Sequence, residues 1–327
     1  MTKKIWTVVA LAVGLLLAVW LVVHIGIDQV FDAVFRVGFV GFLLILLTAM
    51  PIIGFLALAW RSVVGALVPY WVFFASRQLR DSATDLLPFT NIGGIVIGAR
   101  AGILAGIPPI KAYSTAVVDI TCETMAQIAF TVIGLAIGFA RLRASAELAI
   151  YIDGLILGTV LLVPGVIAFV ILQRKGSKMA TAMAAKFLPK AVAHTERFTA
   201  EIEALYQQPW KLALCSTWHL LAWLAAAVWL WVMFRLCGAE VGLLDCIAIE
   251  SLLSALRSAA IFIPAAVGVQ EAGYAALAPV FGAGPEIGLA VSLLKRARDV
   301  VLGIPVLLIW QGIEGKRAFA AKEDEAA

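Results

Sequence analysis

Ionisable side chains stand inside runs that are otherwise apolar, and their spacing points to chemistry. Asp119 and Glu123 lie four residues apart, as do Lys295 and Asp299, with Arg296 and Arg298 beside the second pair. On a helix such pairs share a face, one turn apart. Arg77, Arg80, Asp81, Asp85, Arg100, Glu250, Arg257 and Glu271 fall in or near two stretches broken by Pro and Gly. A charge at the centre of a membrane span costs at least about 2.5 to 3.5 kcal/mol, so such groups pair or line water. Buried pairs seldom add net stability, so the set reads as a polar cavity. Guanidinium binds phosphate bidentately, which makes Arg100, Arg257, Arg296 and Arg298 the candidate substrate-binding residues. Asp119, Glu123, Glu271 and Asp299 are candidates for relaying protons or neutralising charge. Pro88, Gly93, Gly94, Pro264 and Gly268 are candidate hinge positions, although glycine serves tight helix packing in membranes equally well.

Other chemistries find little footing. Cys122, Cys215, Cys237 and Cys246 form no CxxC pair, and the chain has three histidines. The cysteines read as small packing residues, and no metal or cofactor is expected. No nucleophile and histidine stand at a recognisable catalytic spacing, so the chain is not read as an enzyme. His219, among Trp218, Trp223, Trp229 and Trp231, reads as a packed or hydrogen-bonded histidine, and the tryptophans as interface anchors.

The elements that must position these residues are membrane helices. Of 327 residues, 63% are apolar and 14% charged, with mean hydropathy +1.00, against about 45 to 50% and about 25% in soluble domains. Runs of about twenty apolar residues predict a single all-α, polytopic membrane domain over residues 1–327. Six full spans are expected: Ile5 to Ile25, Phe39 to Trp60, Ala112 to Phe139, Tyr151 to Leu172, Lys211 to Leu236 and Glu286 to Trp310. The broken stretches Leu67 to Pro109 and Leu243 to Pro285 read as re-entrant hairpins. Net charge is +4, too small and too confined to loops to suggest nucleic acid as a partner.

Lys3 and Lys4, the base-rich segment between Gln173 and Lys211, and Lys316, Arg317 and Lys322 place both termini and the central loop in the cytoplasm. Asp28 and Asp32, and Glu240 and Asp245, fit the outer side. Arg141 and Arg143, forced outside, are the misfit. Within the linker 173–210, Phe198, Ile202 and Leu205 share one face, the pattern of a surface helix.

The two hairpins also match one another. Asp81 and Arg257 precede Pro88 and Pro264 by equal distances, as do Ser82 and Ser258; glycines follow, then a second Gly-Pro break at Gly106 to Pro109 and Gly284 to Pro285. Pseudo-repeats over residues 67–139 and 243–313, entering from opposite sides, form an inverted repeat of the kind transporters use around a midplane site.

The segment FIPAAVGVQEAGYAAL, Phe262 to Leu277, resembles the Pro-Gly-Gly-x-Gly-x-x-Glu signature of the flippase-like membrane domain of lysylphosphatidylglycerol synthases, through Pro264, Gly268 and Glu271. Ala265 and Ala266 replace the usual Gly-Gly. LLPFTNIGGIVIGARA, Leu86 to Ala101, is similar to the family's first motif through Pro88, Gly93 and Arg100, and LLKRARDVVLGIP, Leu293 to Pro305, to its last span through Arg296. The resemblance implies a stand-alone member without the aminoacyl transferase domain, in a bacterial inner membrane, with the hopanoid-associated branch as a candidate placement. It implies a translocase moving a phospholipid or hopanoid-type lipid between leaflets. Membrane lipids are the expected partners, and a homo-oligomer or a complex with lipid-synthesis proteins is compatible. The rival readings are a non-transporting accessory subunit of a lipid-synthesis complex and an intramembrane lipid-modifying enzyme.

Overall fold

A computed structural model describes residues 27–87, 91–143, 196–260 and 263–326. The predicted spans Ile5 to Ile25 and Tyr151 to Leu172, the hinge candidate Pro88 and the linker up to residue 195 lie outside these residues. The described chain is helical, without strands. In order it forms α1 (Ile27–Val64), α2 (Tyr70–Leu86), α3 (Asn91–Leu104), α4 (Pro109–Arg143), α5 (Glu196–Tyr206), α6 (Pro209–Leu236), α7 (Leu243–Ala259), a short 3-10 turn (Pro264–Ala266), α8 (Val269–Val280) and α9 (Pro285–Ala326). This is a polytopic helical membrane protein.

Local sequence explains the boundaries. Pro109, Pro209 and Pro285 each open a long helix, at the position where a missing N–H costs nothing and the fixed φ already suits the helix. α1 is two helices joined at Gly38, whose φ of 61° and ψ of 179° break the ladder, so the predicted span beginning at Phe39 starts where the second segment does. Val34–Val64, Pro109–Arg141 and Pro209–Leu236 are long and apolar enough to cross a bilayer. The expected span Glu286 to Trp310 lies within α9, whose charges keep it out of that apolar set. Phe35, Phe39 and Leu47 point outward at 74%, 77% and 66% exposure, a surface suited to lipid rather than water.

The predicted hairpins are pairs of short helices, α2 with α3 and α7 with α8, each pair packed together and each followed by a long helix. Packing is reciprocal: α4 lies against α7 and α9 against α2, while α1 and α6 pack on each other. The same sequence separation relates Gly106 to Gly282, Pro109 to Pro285, Asp119 to Lys295 and Glu123 to Asp299. Gly106 and Gly282 both adopt positive φ, 111° and 87°, which a side chain would resist. The two largest apolar cores among the described residues lie around Trp60, Phe73 and Val118 and around Met233, Phe234 and Ile249.

The amphipathic segment is a helix as predicted, but Phe198, Ile202 and Leu205 are buried in the first core. An apolar stripe records only that something covers it; here protein does. Arg141, the basic residue out of place by loop charge, donates to Asp245 at 2.7 and 3.0 Å. Its charge is answered by an acid from the segment expected on the same side.

Candidate functional site

The buried charges gather into two clusters. In the first, α2 presents Arg77 and Arg80 one turn apart to Asp119 and Glu123 of α4. Arg77 reaches Asp119 Oδ2 at 3.3 Å, Glu123 Oε1 at 2.8 Å and its own-helix neighbour Asp81 at 3.1 Å. Arg80 reaches Asp119 Oδ2 at 3.0 Å and Glu123 Oε2 at 2.8 Å. Asp119 is 1% exposed and Arg77 4%. From α6, His219 Nε2 lies 2.8 Å from Asp119 Oδ1, with the Cys215 thiol 3.7 Å from the same oxygen. A cavity of about 10 Å³, room for about one water, lies among Trp60, Ser76, Arg77, Arg80, Gly98 and Asp119.

α3 can approach this cluster because it is short-sided there. A Cβ on Gly94 would strike Thr84 Oγ1 and the Arg80 carbonyl, and one on Gly98 would meet Arg80 Cβ and the Ser76 carbonyl. Gly93 and Gly94 lie inside a helix, and Gly94 is a close-packing position against α2.

In the second cluster, α7 supplies Glu250, α8 Tyr274 and α9 Lys295. Lys295 Nζ donates to Glu250 at 2.8 and 3.0 Å and to the Tyr274 hydroxyl at 2.6 Å, while that hydroxyl donates to Glu250 Oε2 at 2.6 Å. The ammonium also sits 5.0 Å from the centre of the Trp229 ring, a cation–π contact. Trp229 is buried and donates to the Ile45 carbonyl at 2.8 Å, so it is a core residue rather than an interface anchor.

Beside them Glu271, 3% exposed, accepts from the Gly268 N–H at 2.7 Å, Ser292 Oγ at 3.2 Å and Arg296 Nε at 3.1 Å. Arg298 pairs with Asp299 at 2.9 Å, and Arg257 faces Asp85 of α2 at 3.7 Å. Arg296 Nη2 and Arg298 Nε are buried and have no hydrogen-bond partner. The turn into α8 is strained: Gly268 has φ of 81°, and Ala265 and Ala266 hold φ of 51° and 48°. Left-handed backbone costs an alanine about 1 to 2 kcal/mol, so alanines keep here a conformation natural to glycine.

Of the sequence candidates, Arg257, Arg296, Arg298, Glu271 and Asp299 meet in the second cluster with Pro264 and Gly268 at its edge, and Asp119 and Glu123 meet in the first. Arg100 belongs to neither, pairing at 3.0 Å with Glu314 on a half-exposed face. Arg77, Arg80, Glu250 and Lys295 carry more of the clusters than the candidate set included. Their signal was available in part, since Arg77, Arg80 and Lys295 each stand a turn from another charge, whereas Glu250 stands alone in an apolar stretch. Tyr274 and His219 had no such signal. The convergence of Asp119, Cys215 and His219 is the one grouping among the described residues with donors suited to a metal ion.

No curated protein and no solved structure matches the chain. The family described as the lysylphosphatidylglycerol synthase TM region matches residues 7–306, a span that includes every residue of both clusters. The chain belongs to the family of the lysylphosphatidylglycerol synthase transmembrane region.

Proposed function

We propose that the chain is a lipid translocase of a bacterial inner membrane, moving a phospholipid or hopanoid-type lipid between leaflets, and not an enzyme. Family membership ties it to membrane lipid. The observation that carries the finer reading is the pair of buried, unpartnered guanidinium nitrogens on Arg296 and Arg298. An unsatisfied N–H costs free energy in a dry interior and is relieved by an anionic group such as a headgroup phosphate. Glu271 can release Arg296 to such a ligand without being orphaned, because the Gly268 N–H and Ser292 hydroxyl still hold it. The broken helix between Pro264 and Gly268 is the hinge, and the reciprocal packing of α2–α4 and α7–α9 supports the inverted-repeat plan. In this reading both termini are cytoplasmic and the acyl chains stay in lipid.

The test is leaflet exchange in liposomes holding the purified protein, with headgroup-labelled anionic, zwitterionic and sterol-like lipids. Glu271→Gln and Arg296→Ala are expected to abolish movement while the protein stays folded. Unchanged rates in both overturn the reading. No movement of any lipid by folded wild type, together with a stoichiometric copurifying protein, replaces it by the accessory subunit; a new covalent lipid species by mass spectrometry replaces it by an enzyme.

A further inference from the structure

Helices α4 and α6 bring together donors that the sequence keeps far apart. Asp119 and Cys122 are three residues apart on α4, Cys215 and His219 four apart on α6, so each helix turns both of its donors to one face. All four are buried, at 1%, 1%, 0% and 0% exposure. The donor atoms of Asp119, Cys215 and His219 lie within 4.8 Å of one another. Bonds of about 2.0 Å to N and O and about 2.3 Å to S place neighbouring tetrahedral ligands roughly 3.3 to 3.6 Å apart. The sulfur–oxygen distance is already 3.7 Å, and the imidazole–carboxylate distance of 2.8 Å needs only a small opening.

Two further features favour a cation here. Both arginines take Asp119 Oδ2 and leave Oδ1 to Cys215 and His219, so the carboxylate is oriented from behind as outer-shell partners orient metal ligands. Asp81, Asp119 and Glu123 outnumber Arg77 and Arg80 in the cluster, leaving one negative charge in excess.

We propose that Asp119, Cys215 and His219 bind one borderline-soft divalent cation of the Zn²⁺ class. Mixed S, N and O donors select this class over Mg²⁺ or Ca²⁺. On binding, the Cys215 thiol gives its proton to solvent and its sulfur bonds the ion, while His219 donates a nitrogen lone pair. The ion joins α4 to α6 and holds Asp119 in place for both arginines. Nothing in this site depends on lipid movement.

The test is Co²⁺ titration of the full-length, chelator-treated protein in detergent, followed by absorption spectroscopy. Expected are one Co²⁺ per chain, a thiolate charge-transfer band with tetrahedral d–d intensity, and displacement by Zn²⁺. Cys215→Ser should lose the charge-transfer band and His219→Gln should weaken binding by at least about tenfold. Cys246→Ser, in the other core, should match wild type. Each variant is compared by its size-exclusion profile, and either of the first two suffices if the other fails to fold. Absence of the band in wild type, or its persistence in Cys215→Ser, overturns the proposal.

Discussion

The unit α2–α4 and the unit α7–α9 share an order of elements, yet Asp119 and Lys295, like Asp81 and Arg257, carry opposite signs at matched positions, while Glu123 and Asp299 are both acidic. In the first, the short helix carries the arginines and the long helix the carboxylates; in the second, Glu250 is on the short helix and Lys295 on the long one. Asp119 and Lys295 are themselves equivalent by sequence separation. The backbone plan therefore does not require a given sign at the helix crossing; at both crossings a charge meets one of opposite sign. The clusters also differ in economy. Arg77 serves three carboxylates, whereas Lys295 and Glu250 form a one-to-one pair bridged by Tyr274.

That contrast can be broken by mutation. Removing one partner of a buried pair costs about 3 to 5 kcal/mol, so Arg77→Met and Lys295→Met should both strongly lower resistance to thermal unfolding in detergent. Adding Glu250→Gln to Lys295→Met should restore most of the loss, because the pair leaves together. Adding Asp81→Asn to Arg77→Met should restore little, since Asp119 and Glu123 still share only Arg80. Equal recovery in the two double variants would erase the distinction.

A smaller effect sharpens the comparison of the two breaks. Joint replacement Ala265→Gly and Ala266→Gly relieves left-handed strain of about 1 to 2 kcal/mol per residue and adds the chain entropy of glycine, roughly 0.5 to 1 kcal/mol each. The net expectation is stabilisation by about 1 kcal/mol, read as a higher midpoint in the same unfolding assay. A lower midpoint would mean that the alanines are not held at positive φ. Smallest of all, Arg100→Ala removes an exposed pair with Glu314 and should change stability by no more than about 1 kcal/mol, with the midpoint essentially unmoved. A large drop would place Arg100 with the buried residues.

The elements were largely legible because their signals are local. Pro and Gly mark the breaks, and uninterrupted apolar length marks α1, α4 and α6. The faces of the charged turns were legible too, which is why Asp119 with Glu123 and Lys295 with Asp299 stood out. What could not be read was the opposite wall. Spacing fixes which side of α4 carries Asp119 but says nothing of α2 or α6 as its neighbours, so His219 and Cys215 looked like ordinary packing. Phe198, Ile202 and Leu205 show the same limit, since an apolar stripe fits protein and lipid alike.

The distribution of ion pairs bears on how such a chain is made. Among the described residues, the buried pairs of Arg77, Arg80, Lys295 and Arg296 each close within one unit. Pairs joining the units, Arg100 with Glu314, Arg141 with Asp245 and Arg257 with Asp85, have a basic partner at least 36% exposed in its side chain. During synthesis the earlier half can thus enter the bilayer with its deepest charges already answered by residues of its own, and need not wait for the later half to emerge from the ribosome. Only the more exposed pairs are left to be completed when the two halves meet.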